Sequence, residues 1–275
     1  VFSEILMNRA GAFLMVCLLP GFARAQEAPG FQVDRLPALP GLLWDDTRAL
    51  VQAPGDWSSR QWTDVALGAA AVVATGFALD HAVDQAVLRN PSPSLYNAAR
   101  NVAQLGGAGG LVLIGGGYLG SSLLGKDQAR AMWVDAGIAT VLARGTAFAA
   151  QMVVGRAVPS DNQGSGRFRP FSGDDSFPSG HASQAFAMAS VISLHADSPW
   201  VGAAAYGLAG LVGLARLETR DHFSSDVLAG ALIGTGIGRT VVRMDQTRRL
   251  ESKAEIRFMP VMGPGFRGLS MVAKF

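Results

Sequence analysis

A single cysteine in 275 residues, Cys17, excludes an internal disulfide and a thiolate metal cluster. Charge is also scarce. Only 16% of the residues are Asp, Glu, Lys or Arg, against about 25% in ordinary soluble domains. The net charge of +2 is too small to draw a polyanion. No basic stripe with interleaved aromatics appears, which sets nucleic-acid partners aside. Histidines number four, so each can be weighed singly. In place of charge the chain has 49% apolar residues and 34 glycines, many of them inside apolar runs.

The N-terminal stretch reads as a secretory signal. Arg9 forms a short basic region, an apolar run follows from Ala10 to Leu19, and Ala23-Arg24-Ala25 is a small-x-small cleavage site before Gln26. Met7 fits a start. Residues 1–25 are therefore expected to be a signal peptide, with an uncleaved anchor as the alternative. Residues 26–60 are Pro-rich and mixed, an irregular arm with a short helix near 44–52. Residues 61–249 alternate apolar runs with polar breaks, at roughly 62–79, 104–124, 131–154, 180–195, 199–217 and 224–243. Each run is long enough for a helix, and the small residues in them let helix backbones approach closely. The expectation is an all-α bundle of about six Gly/Ala-rich helices. After Arg249 the pattern changes to partial alternation centred on "GPG", so residues 250–275 read as a C-terminal tail or hairpin. The runs at 107–124 and 199–215 approach the roughly 20 apolar residues of a membrane span.

Two short stretches carry chemistry. In "ARLETRDHFSSDVLAG", His222 precedes Asp226 by one turn at the start of a helical run. A carboxylate there can accept an imidazole N–H and fix its tautomer, leaving the other ring nitrogen with a lone pair. Arg216 ends the preceding run, and a guanidinium binds phosphate through a planar fork. In "SFPSGHAS", Ser179, Gly180 and His181 open the next run. A helix N-terminus offers free N–H groups to an anion, Gly180 permits close approach, and His181 can supply a proton. Together the set suits phosphoryl transfer through a phosphohistidine.

These residues resemble the type 2 phosphatidic acid phosphatase and vanadium haloperoxidase superfamily. Pro178 to His181 match its Pro-Ser-Gly-His motif. Arg216, His222 and Asp226 match Ser-Arg-x5-His-x3-Asp, with Ala215 in place of the serine. The resemblance covers about residues 60–245. It implies an all-helical bundle with the site at one end. It further implies His222 as nucleophile, Asp226 as its orienting group and His181 as acid, with Arg216, Ser179 and Gly180 on the phosphate. No metal or other cofactor is implied, vanadate entering only as an inhibitor or in the haloperoxidase alternative. The family's first motif, Lys-x6-Arg-Pro, aligns with "QMVVGRAVP", where Gln151 takes the lysine position and Val158 the arginine position. Arg156 and Arg169 are the nearby cations that could compensate on the phosphate.

The expected function is a metal-independent phosphomonoesterase acting on a phospholipid, isoprenyl phosphate or similar envelope phosphate or pyrophosphate. The alternatives are a catalytically weakened phosphate- or lipid-binding relative and, ranked last, a vanadate-dependent haloperoxidase. Topology signals conflict. A cleaved signal followed by six spans places the site in the cytoplasm. Arg239, Arg243, Arg248, Arg249 and Lys253 after the sixth run favour a cytoplasmic C-terminus and a periplasmic site. The reading taken is an inner-membrane protein with a periplasm-facing site, with a soluble periplasmic protein as the alternative.

Overall fold

The computed structural model describes residues 39–253, 255–263 and 266–274. The expected signal and Cys17 lie outside the described residues. Helix α1 spans Leu39–Gln52, more than the short helix expected near 44–52. Helix α2, Ser59–Thr75, starts on a capping box in which Ser58 Oγ accepts from the Gln61 N–H and Gln61 Oε1 accepts from the Ser58 N–H at 2.9 Å. It runs through one π turn, Gly76–Asp80, directly into α3, His81–Arg89. The widened turn carries Asp80 into the interior, where it is 1% exposed. Helices α4, Pro93–Ala103, and α5, Ala108–Leu123, meet at a 3₁₀ turn, Gln104–Gly106, with a 49° bend. Then come α6, Asp127–Val154; α7, Gly180–His195; α8, Pro199–Glu218; and α9, Ser224–Lys253. Each of the six apolar runs is helical. Strands β1, Glu255–Gly263, and β2, Phe266–Lys274, pair antiparallel, Glu255 opposite Lys274 and Gly263 opposite Phe266.

Helix α7 is the axis of the bundle. It packs on α6, α8 and α9, and Ala182 to Val191 are buried without a break. Its closest neighbour is α9, through glycines four residues apart. A Cβ on Gly230, Gly234 or Gly238 would lie 2.4, 2.1 or 2.6 Å from the carbonyl oxygen of Ser179, Ser183 or Ala187 respectively. Matching four-residue rows on the two helices thus bring backbone against backbone.

The outside of the bundle is unusually apolar. Phe77, Leu123, Trp200 and Val112 are 90, 88, 82 and 74% exposed, while the interior holds Phe186, Val191, Val212 and Val227 among many alanines and serines, together with buried ion pairs. Among the described residues, four helical stretches are long and apolar enough to cross a membrane: Ser59–Arg89, Asp127–Val154, Pro199–Glu218 and Ser224–Leu250. The bent α4–α5 pair makes a fifth if it counts as one span. Helix α7 is only 16 residues long and is not among these stretches.

Candidate active site

The residues singled out from the sequence gather where α7 and α9 begin and α8 ends. Ser179 is the N-cap of α7, its Oγ accepting from the Ala182 N–H at 3.4 Å. Its own N–H donates to the Asp226 carbonyl at 2.9 Å, which ties the start of α7 to the start of α9. Gly180 follows. His181 lies over the α4–α5 junction, where a Cβ on Gly107 would sit 3.0 Å from its Nε2. The junction is fixed from below by Gln184 Nε2, which donates to the Gly107 carbonyl at 2.8 Å.

His222 occupies the loop between α8 and α9 and is 6% exposed. Its Nδ1 lies 2.7 Å from the Ser176 carbonyl. A carbonyl only accepts, so Nδ1 carries the proton and Nε2 keeps the lone pair. The expected direct partner, Asp226, is not the group on the ring. Its carboxylate accepts from Ser176 Oγ and from the Phe223 N–H, each at 2.7 Å. Asp226 therefore acts on His222 through Ser176. Burial pushes the His222 pKa down to about 3, the charge of Arg216 adding to the effect and the Ser176 carbonyl opposing it. Burial, then Arg216 and Arg144, lower His181 to about 4. Both imidazoles are neutral near pH 7.

Two of the expected phosphate cations are committed elsewhere. Arg156 is 3% exposed. Its Nη1 donates to Ser225 Oγ at 2.8 Å and to Asp226, its Nη2 to Asp80 at 2.7 Å, and Nε and Nη2 both to the Ser165 carbonyl, at 3.0 and 2.6 Å. The guanidinium also lies 4.3 Å from the Phe223 ring centroid. With its donors so spent, Arg156 is a buried tie and not an anion ligand. Asp80 completes the tie, accepting from the Ser225 N–H at 2.9 Å and from Ser225 Oγ at 2.6 Å. Arg169 is on an outer loop, paired to Asp174 through Nε and Nη2 at 3.0 and 3.1 Å. Its backbone closes the end of α6: Gly155, at φ +57°, caps the helix, and a Cβ there would lie 1.8 Å from the Arg169 carbonyl oxygen.

Arg216 stays at the site. One terminal nitrogen pairs with Asp221 at 2.9 Å, and its buried Nε has no hydrogen-bond partner. Gln151 Nε2 donates to the Pro178 carbonyl at 2.9 Å, so the neutral residue at the lysine position holds the Pro-Ser-Gly-His loop. Sequence reasoning missed Ser176, Asp80 and Arg144. Arg144 was detectable as the lone cation of the 131–154 run, and its guanidinium lies against Gly180, where a Cβ would be 1.8 Å from Nη1.

Residues 133–250, which hold all of these groups except Asp80 and the α4–α5 junction, match the PAP2 superfamily. Over this stretch, less than half of the chain, the sequence is similar to the PAP2 superfamily. The lipid A 1-phosphatase of Porphyromonas gingivalis is 37% identical over 89 residues, a match that spans 31% of this chain and 20% of that protein. Two solved structures are similar to the chain. Aquifex aeolicus LpxE has 22% identity and a TM-score of 0.45, over 60% of this chain and 94% of its own. The first transmembrane PAP2 type phosphatidylglycerolphosphate phosphatase from Bacillus subtilis has 20% identity and a TM-score of 0.42, over 76% and 96%. The PAP2 stretch takes in α7, α8 and most of α6 and α9, while Asp80 reaches it from α2–α3.

Proposed function

We propose that this chain is a phosphatase that hydrolyses a lipid-linked phosphate ester or pyrophosphate in the bacterial envelope, through a phosphohistidine on His222. The carrying observation is the tautomer of His222. The Ser176 carbonyl accepts a hydrogen bond from Nδ1–H and leaves Nε2 as a neutral nucleophile beside anion-binding groups. In the first step Nε2 attacks phosphorus, the P–O bond to the lipid breaks, and the departing oxygen takes a proton from His181. In the second, water attacks the phosphohistidine, the N–P bond breaks, and His181 takes a proton from the water as inorganic phosphate leaves. His181 is neutral in the empty site. A phosphate anion beside it favours the protonated form, so substrate binding itself loads the acid. Ser176 and Asp226 are positioning residues: the carbonyl holds the imidazolium N–H of the intermediate, and the carboxylate holds Ser176.

The likeness to a lipid A 1-phosphatase supports a lipid-linked phosphate as substrate class. The exposed apolar side chains and the four span-length helices support a membrane setting. The basic cluster on the far half of α9, from Arg239 to Lys253, supports a site on the periplasmic side. The test is phosphate release from diacylglycerol phosphate, an isoprenyl pyrophosphate and a soluble phosphomonoester. His222→Ala is expected to lose on the order of 10³-fold or more on whichever substrate the parent cleaves. Equal rates for parent and variant overturn the phosphohistidine path.

A further inference from the structure

The first motif of this chain has no cation at either of its two aligned positions, and the structure offers a different one. Gln151 is neutral and occupied with Pro178. Arg156, the nearest arginine in sequence, is saturated by Asp80, Asp226, Ser225 and Ser165. Arg144 lies seven residues before Gln151, about two helical turns, so both sit on one face of α6. From there its guanidinium reaches the first residue of α7. It fills the space that a side chain on Gly180 would need, 1.8 Å from an added Cβ.

Arg144 is exposed and makes no hydrogen bond or ion pair among the described residues. Its charge is felt at His181, His222 and Arg216, so it faces the same space as they do. Asp221 neutralises Arg216 in part, but no carboxylate among the described residues is paired with Arg144. An arginine without a counter-ion, well inside a helix apolar enough to cross a membrane, is costly unless something anionic completes it. Beside it is the start of α7 at Gly180, and the buried Nε of Arg216 has no hydrogen-bond partner among the described residues.

We propose that Arg144 is the principal phosphate-binding cation of this site, standing in for the two that positions 151 and 158 lack. The inference rests on the phosphatase reading above. Its ligand is a tetrahedral oxyanion: the phosphate of the substrate, inorganic phosphate, or orthovanadate.

The test is binding of orthovanadate and inorganic phosphate to the purified full chain by calorimetry, alongside phosphate release. A charge-assisted hydrogen bond contributes about 1.5–3 kcal/mol. Arg144→Gln should therefore weaken orthovanadate binding about 10- to 100-fold and raise KM in step, with helical content unchanged. Arg144→Lys should fall between parent and Arg144→Gln. Adding Gln151→Lys to Arg144→Gln should recover affinity, because it returns a cation to the same face. Orthovanadate binding as tight in Arg144→Gln as in a binding-competent parent overturns the inference and leaves the phosphatase reading standing. If Arg144→Gln misfolds, the uncharged, long-chain Arg144→Met decides: parent-like melting with parent-like affinity for both anions overturns it. A parent that binds neither anion and releases no phosphate overturns the phosphatase reading, and this inference with it.

Discussion

His222 is kept neutral by burial and the nearby Arg216 charge, and its Nε2 lone pair is left free by the Ser176 carbonyl on Nδ1–H. Removing Arg156 from the buried set beneath it leaves Asp80 and Asp226 without their shared cation, and such losses cost about 3–5 kcal/mol. The neutrality itself is testable by pH. His222 and His181 have folded-state pKa values of about 3 and about 4, below the roughly 6.5 of a free imidazole. Between pH 6.5 and 3 the unfolded chain binds protons that the folded chain refuses, so stability falls as pH drops through that window and is unaffected by these groups above it. Denaturant unfolding between pH 4 and 8 is expected to show this slope, and His181→Gln to show a shallower one than the parent. Identical slopes in parent and variant refute the buried neutral state of His181.

Among elements, the α7–α9 contact is the one on which site geometry depends most directly, because α7 starts at Gly180 and α9 starts two residues after His222. Gly234→Ala places a methyl 2.1 Å from the Ser183 carbonyl oxygen. Overpacking of this kind costs about 1–3 kcal/mol, more than the gain of up to about 1 kcal/mol from replacing a helical glycine. The net expectation is destabilisation. Gly236→Ala, two residues on and with nothing within 4 Å, keeps only the gain. Thermal unfolding of the two variants in detergent is expected to move in opposite directions. A Gly234→Ala variant as stable as the parent excludes the close approach. The π turn between α2 and α3 acts in a similar way at longer range, since it delivers Asp80 to Arg156 and Ser225 from outside the matched family stretch.

At the scale of the molecule, large apolar side chains on the outside and four span-length helices among the described residues fit a membrane protein. The orientation proposed above can be read from a single thiol. The one native cysteine is Cys17, so a Cys17→Ser background is free of thiols. Gly166 lies in the loop between α6 and α7, exposed and with nothing near its Cβ direction. Gly166→Cys in that background is expected to react with a membrane-impermeant maleimide in intact cells. Protection until the cells are opened reverses the orientation.

Six helices and the position of the site were legible in the residues themselves. Apolar runs with breaks report helices because burial and period are local properties of a chain. Pro178 to His181, and Arg216 to Asp226, are short stretches whose chemistry and spacing sit together in sequence. Tertiary structure decided what long-range contacts decide. Asp226 reads as the partner of His222 from spacing alone, yet a serine 50 residues earlier stands between them. Arg156 reads as a phosphate ligand until Asp80, 76 residues away, is seen to hold it. Arg144 reads as an oddity in an apolar run until Gly180 is packed against it. A side chain's ionic partner is set by which helices touch, and sequence adjacency carries no information about that. The sequence by itself thus determined the helices and the chemistry available, and only the packing of α6, α7 and α9 decided which arginine is left for an anion.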